Sequence, residues 1–203
     1  MQSKNFFLLH RTGGYPLDNF HGYLFKKLRK KTEQVYTPHF PGINNQNFET
    51  WNKVMLGYED FISQRTIFIT HSISSSFIYK FLAVNRIKVN GIISVAGYLD
   101  PGNIGQEWHH LYQSIWPSDE QLTWCINNVL NRYQVYSNND KYFPIKSLEN
   151  FTKQTKSEGI LIKNKGHFIS DSKDKDYSLP EVIDILNSFT RLTLQLYLFP
   201  CQF

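Results

Sequence analysis

The chain has 203 residues, of which 41% are hydrophobic and 16% aromatic; this composition excludes a disordered chain and suits one folded domain, which we expect to span residues 1–203. The formal net charge is +5, but the clearest basic run, Lys26–Lys31, is typical of a solvated helix face, so a nucleic-acid-binding protein is the least favoured class. No run of residues is long and apolar enough to span a membrane, and the N-terminus lacks the apolar stretch of a signal peptide. We therefore expect no membrane span and a cytoplasmic location.

Short apolar runs recur along the chain and are predicted to be strands. Their apolar residues are continuous rather than alternating, as expected for strands that are covered on both faces. The runs are residues 6–10, 34–38, 66–70, 91–98, 133–138 and 159–163.

Helix-like segments lie between and after these strands. They are residues 17–31, 47–62, 75–84, 119–130, 145–156 and 179–199. Alternation of strand and helix predicts an α/β fold, a three-layer, doubly wound and parallel sheet of about six strands. The irregular segment 101–118 is long enough for a small flap, but the chain has no room for a large cap domain.

Three chemically reactive residues follow three of the predicted strands. Ser72 follows the third strand, Asp140 the fifth and His167 the sixth. This is the chain order of the triad in α/β-hydrolases. A serine hydroxyl becomes nucleophilic when an imidazole accepts its proton, and a carboxylate holds that imidazole in one tautomer. The carboxyl ends of parallel strands meet at one edge, where ligands bind, so we expect these three residues to converge.

Each of the three residues also has an ordinary structural interpretation. A serine between a strand and a helix is most often an N-cap, an aspartate in an Asn-rich turn often only stabilises the turn, and a histidine after glycine is usually a loop residue. Their joint placement at strand ends favours the catalytic interpretation. His109 and His110 are adjacent and would point apart on a helix, so we predict no metal site.

Several motifs resemble those of a known family. They are "THSISSS" (70–76), "SNNDKYFP" (137–144), "GHFISD" (166–171), and the strand and helix around "FLLHRTGGYP" (7–16). With them the chain resembles, over nearly its whole length, the small serine hydrolases of the bacterial YdeN and retinoblastoma-binding protein nine family, a compact branch of the α/β-hydrolases. The resemblance implies that Ser72, Asp140 and His167 form the triad, that Thr12 and Ile73 provide the oxyanion hole, and that small esters are hydrolysed without a cofactor.

The sequence departs from the family pattern at four positions. Thr70 and Ser74 replace the glycines that usually flank the nucleophile, Arg11 replaces the glycine after His10, and Asn139 replaces the first acid of an Asp pair. Thr70 is β-branched, so it fits only if space has opened around it. Arg11 could alter the oxyanion loop or bind an anionic substrate.

The leading hypothesis is a carboxylesterase-like serine hydrolase that cleaves small ester or thioester molecules through an acyl-enzyme. The predicted substrate-binding residues are Arg11, Tyr98, Leu99 and Trp116, with Trp108 in the flap. The alternative is a hydrolase-fold binding protein with little or no turnover, which the departures at the elbow and at Arg11 favour. Nucleic-acid binding through Lys26–Lys31 is a third and weaker possibility.

Overall fold

The computed structural model describes residues 4–30, 34–99, 112–170 and 177–198, with side chains described as far as residue 189. Six parallel strands form one sheet in the order β2-β1-β3-β4-β5-β6. They are β1 Asn5–Leu9, β2 Gln34–Tyr36, β3 Ile67–His71, β4 Val89–Val95, β5 Val129–Ser137 and β6 Glu158–Ile162. The predicted α/β fold and its six strands are confirmed, with shifts of a few residues at the strand ends.

Helices cover both faces of this sheet. They are α1 Phe20–Arg29, α2 Phe48–Leu56, α3 Ile73–Val84, α4 Asp119–Asn128, α5 Ile145–Thr155 and α6 Pro180–Leu198. Local sequence sets where some of them begin. The Asn47 side chain accepts a hydrogen bond from Thr50 N–H at the start of α2, and Ser118 and Gln121 form a capping box at the start of α4.

The alternation of side chains along β1 divides the core into two layers. Phe7 and Leu9 belong to a cluster with buried residues of α2, α3, α4 and α5. Phe6 and Leu8 face the other way and pack with buried residues of α1 and α6. Burying one such side chain stabilises the fold by about 1.5–3 kcal/mol. The sheet is therefore a rigid platform, and all its strands end at the same edge.

The described residues contain no helix that is both long enough and apolar enough to cross a membrane. The predicted flap lies mostly outside the described residues, which resume at residue 112.

Candidate active site

Ser72 lies at the sharp turn between β3 and α3. Its φ of 61° and ψ of −127° are unusual for a residue with a side chain, and its hydroxyl makes no capping hydrogen bond to α3. Such a conformation costs about 1–3 kcal/mol and persists only where surrounding contacts hold it. Ser72 N–H donates to Val95 O at 2.8 Å, and Ser72 O accepts from Ser75 N–H at 2.9 Å. Ser72 is therefore not a side-chain cap, and its hydroxyl is available for another role.

Small side chains and hydroxyl groups accommodate an elbow that lacks glycine. Thr70 is fully buried, and its Oγ1 lies 2.8 Å from Ser75 Oγ. Its neighbour on β4 is the small Ser94, so space for the β-branched side chain exists on that side. The Ser74 hydroxyl accepts from His71 N–H at 2.9 Å and lies 2.8 Å from Leu9 O. The residues that replace glycine thus hold the elbow by hydrogen bonds.

The side chains of Ser72, His167 and Asp140 lie within hydrogen-bond reach of one another. His167 Nδ1 is 2.6 Å from Asp140 Oδ2, and His167 Nε2 is 3.0 Å from Ser72 Oγ. The His167 side chain is 6% exposed and that of Asp140 is 0% exposed. An ionised carboxylate only accepts hydrogen bonds, so the proton belongs on Nδ1, and Nε2 is free to accept the Ser72 hydroxyl proton.

The two oxygens of Asp140 have separate partners. Oδ1 accepts hydrogen bonds from Tyr142 N–H at 2.8 Å and from Phe143 N–H at 3.1 Å, while Oδ2 faces His167. Backbone donors of the turn after β5 therefore set the orientation of this carboxylate, so Asp140 both stabilises the turn and contacts His167.

Asn139 connects the loop of Asp140 to the loop of His167. Its Oδ1 accepts from Gly166 N–H at 2.8 Å and from the Ser137 hydroxyl at 2.9 Å. Ser137 Oγ in turn accepts from Lys165 N–H at 3.0 Å. The family pattern has an acid at this position, and the asparagine oxygen still provides an acceptor for the N–H next to His167.

His71 is a residue of the site that the sequence reasoning missed. It is buried, and burial, with the nearby charges of His167 and His21, lowers the pKa of His71 well below its usual value. The neutral ring donates its Nε2–H to the carbonyl of His167 at 2.8 Å. A histidine next to Ser72 is visible in the sequence, but its contact with the loop of His167 depends on the folded positions of two loops.

The loop after β1 carries the predicted oxyanion donor Thr12. His10 holds this loop: Phe40 N–H donates to its Nε2 at 3.0 Å, and its Nδ1–H donates to Arg11 O at 2.8 Å. Burial lowers the pKa of His10, which favours this neutral form. Among the described residues, the backbone N–H groups of Thr12 and Ile73 have no acceptor. Thr12 lines the cavity beside Ser72, whereas Ile73 is buried and is not among its lining residues; their role as an oxyanion hole stays a prediction.

A cavity of about 270 Å³ opens beside Ser72 and His167. The other residues that line it are Arg11, Thr12, Ile43, Tyr98, Tyr112, Tyr142, Phe143 and Ile169. Two of the predicted substrate-binding residues, Arg11 and Tyr98, thus line the cavity. Tyr142 and Phe143 were missed, although they follow Asp140 on the same strand-end loop, where any residue is a candidate.

Leu99 and Trp116, the other predicted substrate-binding residues, are not among the lining residues. Both pack against the core cluster of the α3 face, and the Trp116 carbonyl accepts from Lys80 Nζ at 3.3 Å. Tyr112 lines the cavity instead, which the irregular sequence of this segment did not indicate. Trp108 lies outside the described residues.

Tyr98 is an aromatic residue whose side chain interacts with that of Ser72. Burial raises the pKa of Tyr98 well above its usual value, with a further contribution from Tyr112 and an opposing one from a hydrogen bond with the Ser72 side chain. Its ring stacks on Phe143 with centroids 3.8 Å apart. The phenol therefore stays neutral and is held in place beside the Ser72 hydroxyl.

No group of three or more His, Cys, Asp or Glu side chains within the described parts of the chain could hold a metal ion. The described residues of this site provide a hydroxyl, an imidazole, a carboxylate and backbone N–H groups that make no hydrogen bond.

Comparison with known proteins identifies both a family and a fold. The sequence profile of a family described as serine hydrolase matches residues 20–188. The structure is similar to that of the ydeN gene product from B. subtilis, with a TM-score of 0.79, 20% identity, and coverage of 93% of this chain and 100% of that chain. No curated protein matches the sequence.

Two further solved structures have the same fold. A YdeN-like hydrolase from Pectobacterium atrosepticum has a TM-score of 0.68 and 13% identity, and the match covers 94% of this chain and 92% of that chain. A carboxylesterase from Nitrososphaera gargenis has a TM-score of 0.65 and 14% identity, with coverage of 96% and 92%. At these low sequence identities, the three structural similarities show a shared fold and no more.

Proposed function

The chain belongs to the serine hydrolase family, and we propose that it cleaves small esters or thioesters with Ser72 as nucleophile, His167 as general base and acid, and Asp140 as the group that orients His167. The observation that carries the proposal is the pair of short distances, 3.0 Å from His167 Nε2 to Ser72 Oγ and 2.6 Å from His167 Nδ1 to Asp140 Oδ2. Both fall within the range that proton transfer and orientation require.

The reaction proceeds in two halves. His167 Nε2 takes the proton of Ser72 Oγ as this oxygen bonds to the carbonyl carbon of the substrate. The imidazolium then gives the proton to the departing alcohol or thiol, whose bond to carbon breaks and leaves an acyl group on Ser72. Water attacks this acyl group while His167 accepts its proton, and collapse releases the acid and restores the Ser72 hydroxyl. Asp140 stabilises the imidazolium in both halves.

The backbone N–H groups of Thr12 and Ile73 are proposed to bind the oxyanion of each tetrahedral intermediate. Losing one donor of an oxyanion hole costs about 10²–10³ in rate. The rigid elbow supports this role, because a donor that is already oriented needs no rearrangement when the charge appears. Tyr98 limits the acyl or alcohol group by its position beside Ser72, and the cavity of about 270 Å³ favours small substrates, since it lies just below the ~300–1,000 Å³ range of pockets for drug-sized ligands.

A fluorophosphonate probe with short-chain esters tests the proposal. The wild-type protein is expected to be labelled, and labelling should be lost in Ser72→Ala and strongly reduced in His167→Ala. Asp140→Asn should lower kcat by at least about 10³-fold, because the histidine loses the acceptor that sets its tautomer. Ser63→Ala, which removes a hydroxyl from an exposed residue, is the matched control and should keep full labelling.

The alternative of a hydrolase-fold binding protein predicts a different result. A wild-type protein that is folded, refuses the probe and hydrolyses no ester in the panel would contradict the esterase proposal and favour binding without turnover. Labelling that persists in Ser72→Ala would contradict the assignment of the nucleophile.

A further inference from the structure

Arg11 is a cation in the wall of the cavity, and part of its guanidinium has no hydrogen-bond partner. It is half-buried and lines the same cavity as Ser72 and His167. Its Nη1 donates to Thr12 O at 2.8 Å, whereas its Nε is buried and has no hydrogen-bond partner. No carboxylate of the described residues forms an ion pair with it.

The loop holds the Arg11 side chain in this position. Gly14 N–H donates to Arg11 O at 3.0 Å, which closes a tight turn with Gly13 at a φ of +61°. A Cβ atom on Gly14 would lie 3.1 Å from Arg11 Cγ, so the glycine leaves room for the arginine stem. The Arg11 side chain therefore packs against its own turn, and it does not simply extend into solvent.

The unused donors of Arg11 indicate the chemistry of a ligand. A guanidinium stays charged at all relevant pH values and has five N–H donors in a planar fork. Nη1 donates to Thr12 O and Nε is covered by protein atoms, so Nη2 is the guanidinium nitrogen left for a ligand. Its N–H groups can form charge-assisted hydrogen bonds to a carboxylate. Burying a charged group without such a partner is unfavourable.

The rest of the cavity has no described negative charge to compete for Arg11. Its other described lining residues are apolar, aromatic or hydroxyl-bearing, with His167. Asp140 is an acid of the site, but its side chain is completely buried against His167. The cavity volume of about 270 Å³ corresponds to about nine water molecules at ~30 Å³ each. A small molecule of on the order of ten non-hydrogen atoms therefore fits in the cavity.

Resting on the proposed esterase activity, we propose that Arg11 binds a carboxylate of the substrate through Nη2, and that the preferred substrates are half-esters or half-thioesters of short dicarboxylic acids. The free carboxylate binds Arg11, the aromatic side chains of Tyr98 and Phe143 enclose the chain, and the ester carbonyl faces Ser72. Hydrolysis consumes one water and yields the dicarboxylate and an alcohol or thiol.

A pair of matched substrates tests this proposal. Monomethyl glutarate and methyl pentanoate have acyl groups of equal carbon number and differ in the terminal carboxylate. The wild-type protein is expected to have at least a tenfold higher kcat/KM for monomethyl glutarate, measured by methanol release. In Arg11→Gln the preference should collapse, mainly through KM. Arg11→Lys, a second variant that keeps the charge but not the planar guanidinium, should recover only part of the preference. Arg65→Gln, which removes the same charge from an exposed position, should keep the preference.

The outcomes separate this inference from the esterase proposal. Equal kcat/KM for the two esters in a protein that the fluorophosphonate labels, or a preference that survives in Arg11→Gln, overturns the carboxylate site and leaves the esterase. Stronger competitive inhibition by inorganic phosphate than by glutarate overturns the choice of carboxylate.

If neither ester is hydrolysed and no label is taken up, the esterase proposal fails, and calorimetry decides on the site itself. The carboxylate site is supported if the wild type binds monomethyl glutarate and this binding weakens at least tenfold in Arg11→Gln. Absence of binding to the wild type overturns the site.

Discussion

His21 is expected to make the protein less stable in acid. Its side chain lies on the buried face of α1 with 1% exposure, and its Nε2 has no hydrogen-bond partner among the described residues. The ring packs between those of Phe20, at 4.5 Å, and His71, at 6.2 Å between centroids. Burial, and then the charge of His10, lowers the pKa of His21 to about 3. The folded protein therefore keeps His21 neutral at pH 5.

The unfolded chain binds a proton at His21 at higher pH, because an exposed histidine has a pKa of about 6.5. The unfolded state thus holds more protons, and the free energy of unfolding decreases as the pH falls through about 6.5 and continues to decrease down to about 3. Between pH 7.5 and pH 5.0 this one residue lowers the free energy of unfolding by about 2 kcal/mol. The pKa values of His71 and His10 are also lowered, so these two residues add to the loss of stability in acid.

Urea unfolding at pH 7.5 and pH 5.0, followed by tryptophan fluorescence, measures the effect. His21→Met is the test variant, because methionine is apolar and fills irregular buried space. Its loss of stability between the two pH values should be about 2 kcal/mol smaller than that of the wild type. Each protein is compared with itself, so a change in absolute stability does not affect the result. His39→Gln removes an imidazole from an exposed residue and is the control. A His21→Met protein that loses as much stability as the wild type would refute the reasoning.

Two further substitutions test how the elbow and the loops are held. Ser74→Ala leaves the buried His71 N–H without its acceptor at 2.9 Å and should lower the free energy of unfolding by about 1–3 kcal/mol. Ser74→Gly, which restores the family residue, should be no more stable than Ser74→Ala. A Ser74→Gly protein that is as stable as the wild type in thermal unfolding would contradict this. Asn139→Leu removes the acceptor of Gly166 N–H at 2.8 Å and should lower kcat by at least about tenfold through misplacement of His167. Asn139→Asp keeps an acceptor and should stay within a few-fold of wild type; equal kcat values for the two variants would argue against the role of this bond.

The departures from the family pattern have different consequences in the folded protein. At the elbow, the hydroxyls of Thr70 and Ser74 are buried and hydrogen-bonded, so they are part of a stable turn. Asn139 keeps the acceptor function of the acid that it replaces. Arg11 differs from these three, because its Nε remains without a partner, and it is the departure that points to a ligand.

The sequence by itself determined the fold and the order of the reactive residues. Strands that are buried on both faces have continuous apolar runs, and amphipathic helices have their own spacing, so both could be predicted from local pattern. The topology of a parallel sheet then puts the ends of all strands at one edge. Ser72, Asp140 and His167 could be selected because each follows a strand, although Ser72 and His167 are 95 positions apart in the chain.

Only the tertiary structure decided what surrounds these residues. The cavity wall is built from side chains of several strand-end loops, and which of them face inward depends on loop conformations that no periodicity encodes. Leu99 and Trp116 pack against the core, while Phe143 stacks on Tyr98. The hydrogen bond from His71 to the carbonyl of His167 joins residues 96 positions apart. Such contacts arise from the packing of whole elements against each other, and local sequence does not specify them.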